Sequence, residues 1–137
     1  MKELIERVET IFSELGYNLF DKEESDELYQ ASFGKDDEVY GTFFVEGDNN
    51  FLEIANTYTF ESDEEDFLRE HLEDMMNICY EYGNYFNIVR EEDEIDFSVF
   101  SKLYYTGLNL ESLEDTLEDF IDCNRELISI LNAEDEE

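Results

Sequence analysis

VYGTFFVEGDNNFLEIANTYTF, residues 39–60, decides the fold, because two runs of strand-forming residues flank a turn. Both runs are rich in the β-branched and aromatic side chains that strands favour. Gly47-Asp48-Asn49-Asn50 between them is a strong turn signal. The pattern predicts a hairpin with strands at residues 39–46 and 51–60. A shorter predicted strand, residues 28–33, precedes this hairpin and extends it into an antiparallel meander.

Helices are predicted on both sides of this meander. Apolar residues recur at helical spacing from Leu4 to Leu15, and Gly16 follows as a stop signal. An acidic loop is expected over residues 21–27. After the meander, Ser62 is predicted to cap a helix that runs to about Tyr82, with Glu65 completing a capping box. Its expected buried side carries Leu68, Leu72, Met75, Met76 and Cys79.

The last third of the chain predicts a second hairpin and a long helix. Residues 85–90 and 95–103 are its two predicted strands, and Asn109 is the expected cap of the final helix. The order is therefore α-β-β-β-α-β-β-α, with an antiparallel sheet of about five strands and helices packed on it. Strands clustered in hairpins indicate the α+β class. We predict one domain over residues 1–132 and a disordered acidic tail over residues 133–137.

The charge balance is the most unusual feature of the composition. Forty acidic residues face eight basic ones, for a formal net charge of −32. The chain is also 42% hydrophobic and 15% aromatic, whereas a disordered acidic chain would be poor in both, so a folded, soluble domain is expected. Scarce lysine and arginine argue against direct binding to nucleic acid or to an anionic membrane. The charge favours a basic protein partner, loosely held cations or a very salty cytoplasm.

The cellular compartment is predicted from the amino terminus and from the cysteines. The first fifteen residues are amphipathic and do not form a signal peptide. No segment approaches the roughly 20 apolar residues of a membrane span. Cys79 and Cys123 both fall within predicted helices. Two cysteines without a secretory signal indicate reduced thiols, and we therefore predict a cytoplasmic protein.

A family resemblance rests on three short stretches. HLEDMMN at residues 71–77, YFNIV at residues 85–89 and the Gly107-Leu108 pair resemble the YbjN-like family of bacterial proteins, described as sensory-transduction regulators. Their fold is similar to that of type III secretion chaperones, and the resemblance covers roughly residues 3 to 132. It implies a small chaperone-like or regulatory domain that binds a protein partner and is often a homodimer. The extreme acidity departs from the family pattern.

Residue types that carry catalysis or bind metals are sparse. His71 is the only histidine and lies two helical turns from Cys79, too far for proton transfer along the helix. One histidine and two separated cysteines do not make a four-ligand zinc site, and both cysteines are predicted to be small core residues. The acidic runs at residues 36–38 and 91–94 lack the spacing of a calcium-binding EF-hand loop. We expect no enzyme activity, no metal site and no cofactor.

Acidic residues on the last helix recur three or four positions apart, opposite its apolar side. Like charges at this spacing cost a few tenths of a kcal/mol per pair. Two interpretations of the acidic face remain open, a merely solubilising face and a functional surface. The carboxylates lie about 5–6 Å apart, comparable to successive phosphates of a nucleic acid, so the surface could mimic nucleic acid and block a basic nucleic-acid-binding protein. Under this alternative, a phage or mobile element is one option for the origin of this chain. We call this set the anionic stripe: Glu111, Glu114, Asp115, Glu118, Asp119, Asp122 and Glu126.

A second candidate surface consists of tyrosines around the second hairpin. Tyrosine is enriched at protein interfaces because its ring is large and its hydroxyl tolerates water, although core packing explains some of these residues. A dimer seam or a peptide groove could use the remainder. A third interpretation of the acidity, adaptation to high salt, also stays open. We call this set the tyrosine group: Tyr80, Tyr82, Tyr85, Tyr104 and Tyr105.

Overall fold

The fold is α+β, as the sequence predicts. The computed structural model describes residues 1–132, and within them six strands form one antiparallel sheet in the order β1-β2-β3-β4-β6-β5. Short 3-10 turns cover Ser62–Glu64 and Tyr105–Gly107. The elements are α1 (Lys2–Glu14), β1 (Asn18–Glu24), β2 (Leu28–Lys35), β3 (Glu38–Glu46), β4 (Phe51–Glu61), α2 (Glu65–Glu81), β5 (Tyr85–Arg90), β6 (Glu94–Tyr104) and α3 (Leu110–Asn132).

The sheet has six strands rather than five, because most of the expected acidic loop belongs to β1. This strand pairs antiparallel with β2, with Leu19 opposite Phe33 and Glu23 opposite Gln30. A bulge separates the two halves of the pairing, where Asp21 has φ 51°. Acidic residues are poor strand formers, but an edge strand leaves one side to water and tolerates charge there. Main-chain pairing with β2 therefore outweighs the local preference for a loop.

The chain packs as two compact units, and β4, β6 and α3 each pass from one into the other. The first unit contains Met1–Ala55 and Lys102–Leu117. Its aromatic core centres on Phe12 of α1, whose ring stacks on Phe43 with centroids 4.4 Å apart. Phe33 packs 5.2 Å from Phe12 in the same cluster. A single domain over residues 1–132 stays a prediction, and the predicted tail lies outside the described residues.

Within the described residues, the second unit contains Asn56–Ser101 and residues 118–132. Phe86 and Phe97 stack at 5.4 Å with rings 7° from parallel. Helix α2 begins at Glu65, two residues later than a cap at Ser62 predicts, because a 3-10 turn precedes the helix. The capping box lies one residue earlier than predicted. Glu61 and Glu64 form the capping box. The Ser62 hydroxyl instead donates to the main-chain oxygen of Glu92, 3.2 Å away.

Helix α3 begins as predicted. The Asn109 side-chain oxygen accepts a 2.8 Å hydrogen bond from the Ser112 main-chain N–H. The Ser112 hydroxyl oxygen in turn accepts from the Asn109 N–H at 3.0 Å. None of the helices in residues 1–132 has the length and apolar character needed to cross a membrane. The helix buries one apolar face, formed by Leu113, Leu117, Phe120, Ile121, Cys123 and Leu127.

Candidate functional site

All residues of the anionic stripe are exposed on α3. Burial of the apolar face, which includes Leu117 and Phe120, turns these carboxylates to water. At 1.5 Å per residue, the stripe rises about 22 Å from Glu111 to Glu126. The predicted exposure is therefore present in the structure. Its members are Glu111, Glu114, Asp115, Glu118, Asp119, Asp122 and Glu126.

The basic residues of the second unit are already engaged by its own carboxylates. Arg69 lies 3.2 Å from a Glu65 oxygen, and Arg90 forms an ion pair with the same carboxylate. Arg125 lies 3.7 Å from Asp122. Arg125 is the single lysine or arginine in the sequence of α3. The pairing leaves the surface of this unit strongly negative.

Two lysines of the first unit also lie beside partners within that unit. Lys22 lies 2.8 Å from a Glu9 oxygen, and Lys35 lies over the Tyr17 ring at 4.3 Å. Burial raises the pKa of Glu9, but the hydrogen bonds from Lys22 and Tyr29 and the Lys22 charge outweigh it and lower that pKa overall. The charges of Lys22 and Lys35 therefore lie beside Glu9 and Tyr17 rather than among the carboxylates of α3.

Three members of the tyrosine group lie in the second unit, around the end of α2 and the start of β5. Tyr80 is 85% exposed, and Tyr85 stacks on Phe100 at 5.3 Å. Tyr82 is half-buried, and its hydroxyl donates a hydrogen bond to Glu126. That hydrogen bond, with smaller contributions from burial and from nearby carboxylates, raises the pKa of Tyr82 to about 12. Tyr82 therefore connects the tyrosine group to the anionic stripe.

The other two tyrosines belong to the first unit. Tyr104 is half-exposed and packs edge to face with Phe51, at 6.0 Å. The Tyr105 hydroxyl is buried and has no hydrogen-bond partner within residues 1–132. Burial, followed by the charge of Glu46, raises the pKa of Tyr105 to about 12. The predicted tyrosine group is thus divided between the units.

A surface depression of about 250 Å³ lies between the end of α2 and the start of β5. Sequence analysis did not find it, because helical periodicity places Met76 on the buried side of α2. Met76 is instead 41% exposed. We call this feature the α2–β5 depression, and it is lined by Met76, Cys79, Tyr80, Asn84, Tyr85 and Phe86.

Asn84 is the buried polar residue of this depression. Gly83 turns the chain at φ 71°, and the Asn84 main-chain N–H then bonds the Cys79 oxygen at 2.8 Å. The side chain is only 9% exposed. Within residues 1–132, neither Nδ2 nor Oδ1 has a hydrogen-bond partner. The sequence marks Gly83-Asn84 only as a helix end, because burial of the amide depends on tertiary packing.

The two cysteines of the second unit meet at the depression, whose lining includes Cys79. Both are free and buried, as predicted for core residues. Their thiols hydrogen-bond to each other, which together with burial raises the pKa of Cys79. The same hydrogen bond lowers the pKa of Cys123. The Asn84 amide lies near the Cys123 sulfur and lowers its pKa further, but without the geometry of a hydrogen bond.

The two acidic turns considered as calcium sites in the sequence have distinct geometries. At the β2–β3 turn, Asp36 and Asp37 adopt left-handed backbone conformations, with φ 51° and 66°. At the β5–β6 turn, carboxylate oxygens of Glu91, Glu94 and Asp96 lie within 4.8 Å of one another. The nearby Asp96 charge is the main cause of a raised pKa for Glu94. Such exposed acidic groups are common without a bound ion, and the absence of a metal site stays a prediction.

Comparison with known proteins extends the description of the fold. No family model matches the chain, and no curated protein matches it. A crystal structure of an uncharacterized protein from Methanothermobacter thermautotrophicus is similar, with a TM-score of 0.74 and 12% sequence identity. The match covers 94% of this chain and 96% of that chain. At this identity, the similarity shows a shared fold alone.

Proposed function

We propose that this chain is a non-catalytic domain that binds a positively charged protein partner. The observation that carries the proposal is the anionic stripe, exposed over about 22 Å of α3, where the helix itself supplies only Arg125 as a basic residue. A surface of one sign attracts an oppositely charged partner and raises its association rate. Tyr82, hydrogen-bonded to Glu126, places an aromatic ring beside the carboxylates. The partner would therefore meet charge and aromatic surface together.

Mimicry of nucleic acid is a second candidate, favoured by the geometry of the same stripe. Carboxylates three or four residues apart on a helix lie about 5–6 Å apart. This spacing is comparable to that of phosphates along a nucleic-acid strand. The partner would then be a basic nucleic-acid-binding protein whose groove the stripe occupies. Salt dependence separates the candidates, because a decoy would dissociate at moderate salt while a partly apolar contact would persist.

The remaining proposals concern location and assembly. Both thiols are free and buried, in keeping with a reducing cytoplasm. We propose no direct binding to nucleic acid or membrane, because the surface charge would repel both. The homodimer implied by the family resemblance stays a prediction. Light scattering of the purified chain would measure its mass in solution.

Affinity capture from host lysate with a salt gradient tests the function. The bait proteins would be the wild-type chain and a stripe variant with Glu111→Lys, Glu114→Lys and Glu118→Lys. A matched control would reverse the β5–β6 turn with Glu91→Lys, Glu92→Lys and Asp93→Lys, so that both variants change the net charge equally. We expect basic partners to be lost from the stripe variant and retained by the control. Equal loss from both variants would show that net charge alone, not this surface, governs binding.

A further inference from the structure

The Asn84 carboxamide lacks the partners that a buried amide requires. Neither its donor nor its acceptor forms a well-aligned hydrogen bond within residues 1–132, although the amide lies near the Cys123 sulfur, and the residue is 9% exposed. Most buried polar side chains in proteins are hydrogen-bonded, and an exception needs an explanation. One explanation is that a group from outside the chain supplies one acceptor and one donor. A main-chain peptide unit offers both, a C=O and an N–H.

The walls of the α2–β5 depression suit an apolar side chain. Its volume of about 250 Å³ is below the roughly 300–1,000 Å³ of typical small-molecule sites. Tyr80 and Met76 stand at its rim, 85% and 41% exposed. Exposed aromatic residues and methionine are frequent anchors and adaptable walls of protein-binding pockets. Because the Asn84 amide atoms are themselves shielded from solvent, a partner must displace a side chain of the depression to reach them.

We propose that the α2–β5 depression binds one apolar side chain of a basic partner segment, while Asn84 hydrogen-bonds the adjacent main-chain amide. Asn84 Nδ2 donates to the partner's C=O, and Oδ1 accepts from its N–H. The basic residues of the segment face the negative surface of the second unit, where Arg69, Arg90 and Arg125 are already paired. This inference rests on the proposed function and names the anchor that gives it specificity.

Stability provides the first test, because a group kept for a partner should be dispensable for folding. Replacing an unpaired buried amide with an apolar side chain of similar size removes an uncompensated desolvation cost. We expect Asn84→Leu to raise the Tm by about 4 °C. Asn77→Leu, at an exposed asparagine of α2, is the control and should raise the Tm by about 2 °C at most, because it gains only helix propensity. A fall in the Tm of Asn84→Leu would assign the amide a structural partner, such as an ordered water, and overturn the inference.

Binding provides the second test, using fluorescein-labelled peptides at low salt and fluorescence anisotropy. The probes are an all-lysine peptide, the same peptide with one central leucine, and that leucine peptide with its leucine nitrogen methylated. We expect the leucine to tighten binding about tenfold and methylation to reverse most of that gain. Asn84→Leu should bind both leucine peptides equally, because it cannot recognise the amide. Tyr80→Ala should weaken leucine-peptide binding, whereas the control Val39→Ala, at an exposed apolar residue of β3 in the first unit, should not.

Failure of the anchor and failure of the proposed function give different results. Equal affinity of the wild type for the all-lysine and leucine peptides would overturn the anchor and leave charge-driven binding intact. A methylation effect that survives in Asn84→Leu would overturn the role of Asn84. If no peptide binds the wild type at low salt, both proposals fall.

Discussion

Reversal of one carboxylate in the anionic stripe should stabilise the protein. Glu118 has Glu114 four residues before it and Asp122 four residues after it on α3, and all three are exposed. Each like-charge pair at this spacing costs about 0.2–0.5 kcal/mol, and an opposite pair gains a similar amount. With these two neighbours, Glu118→Lys exchanges two repulsions for two attractions, and Asp115 three residues before it adds a third exchange. The free energy of unfolding should therefore rise by about 1 kcal/mol or more. The corresponding rise in Tm is about 4 °C.

Thermal unfolding followed by circular dichroism at two salt concentrations measures this effect. Glu118→Gln is the control, because glutamine removes the repulsion without adding attraction and should give about half of the gain. Glutamate, glutamine and lysine have similar helix propensities, so intrinsic preference does not confound the comparison. At about 1 M salt the Debye length is about 3 Å, shorter than the spacing of the pairs, and the gain should largely disappear. A destabilised Glu118→Lys at low salt, or a gain that persists at high salt, would refute the reasoning.

Three further predictions concern the second unit. Asn124→Leu should lower the free energy of unfolding by about 2 kcal/mol, because the buried Asn124 amide is lost and the half-buried Tyr58 hydroxyl loses its acceptor. Urea denaturation should show partial recovery in the double variant with Tyr58→Phe. Hydrogen bonding to Glu126 raises the pKa of Tyr82 to about 12. The stabilising contribution of this hydrogen bond is therefore complete below about pH 10 and is lost as the pH rises toward 12. We expect the Tm of the wild type to fall over this range and the fall to be shallower in Tyr82→Phe. The charge of Asp96 and other nearby carboxylates raise the pKa of Glu94, so Glu94→Gln should raise the Tm at pH 7. The difference in Tm between this variant and the wild type should vanish in acid, where Glu94 is protonated; an equal difference at pH 7 and in acid would contradict the prediction.

Local patterns account for most of the fold. The hairpin predicted at residues 39–46 and 51–60 corresponds to β3 and β4 within a residue at each end. Asn109 caps α3 as predicted, because the capping bonds involve only near neighbours. Strand β1 was missed because its acidic residues have low strand propensity, and pairing with β2 overrides that preference. Pairing between segments is a tertiary property that local propensity does not contain.

The candidate surfaces divide along the same line. Exposure of the anionic stripe follows from the apolar periodicity of α3, so helical spacing was sufficient to predict it. Met76 was placed on the buried side of α2, yet it is 41% exposed, whereas Met75 and Cys79 of the same helix are buried as expected. The unpaired amide of Asn84 depends on where α2 ends and where β5 begins relative to Cys79 and Cys123. No pattern of residue types along the chain reveals it.

The salt dependence of binding to a basic peptide tests the central claim most directly. The dissociation constant of the labelled all-lysine peptide would be measured across a salt series for the wild type, the stripe variant and the β5–β6 turn control. We predict that affinity falls steeply with salt for the wild type and the control, and that the stripe variant binds more weakly with a shallower slope. Identical slopes for the stripe variant and the wild type would contradict the assignment of α3 as the binding surface.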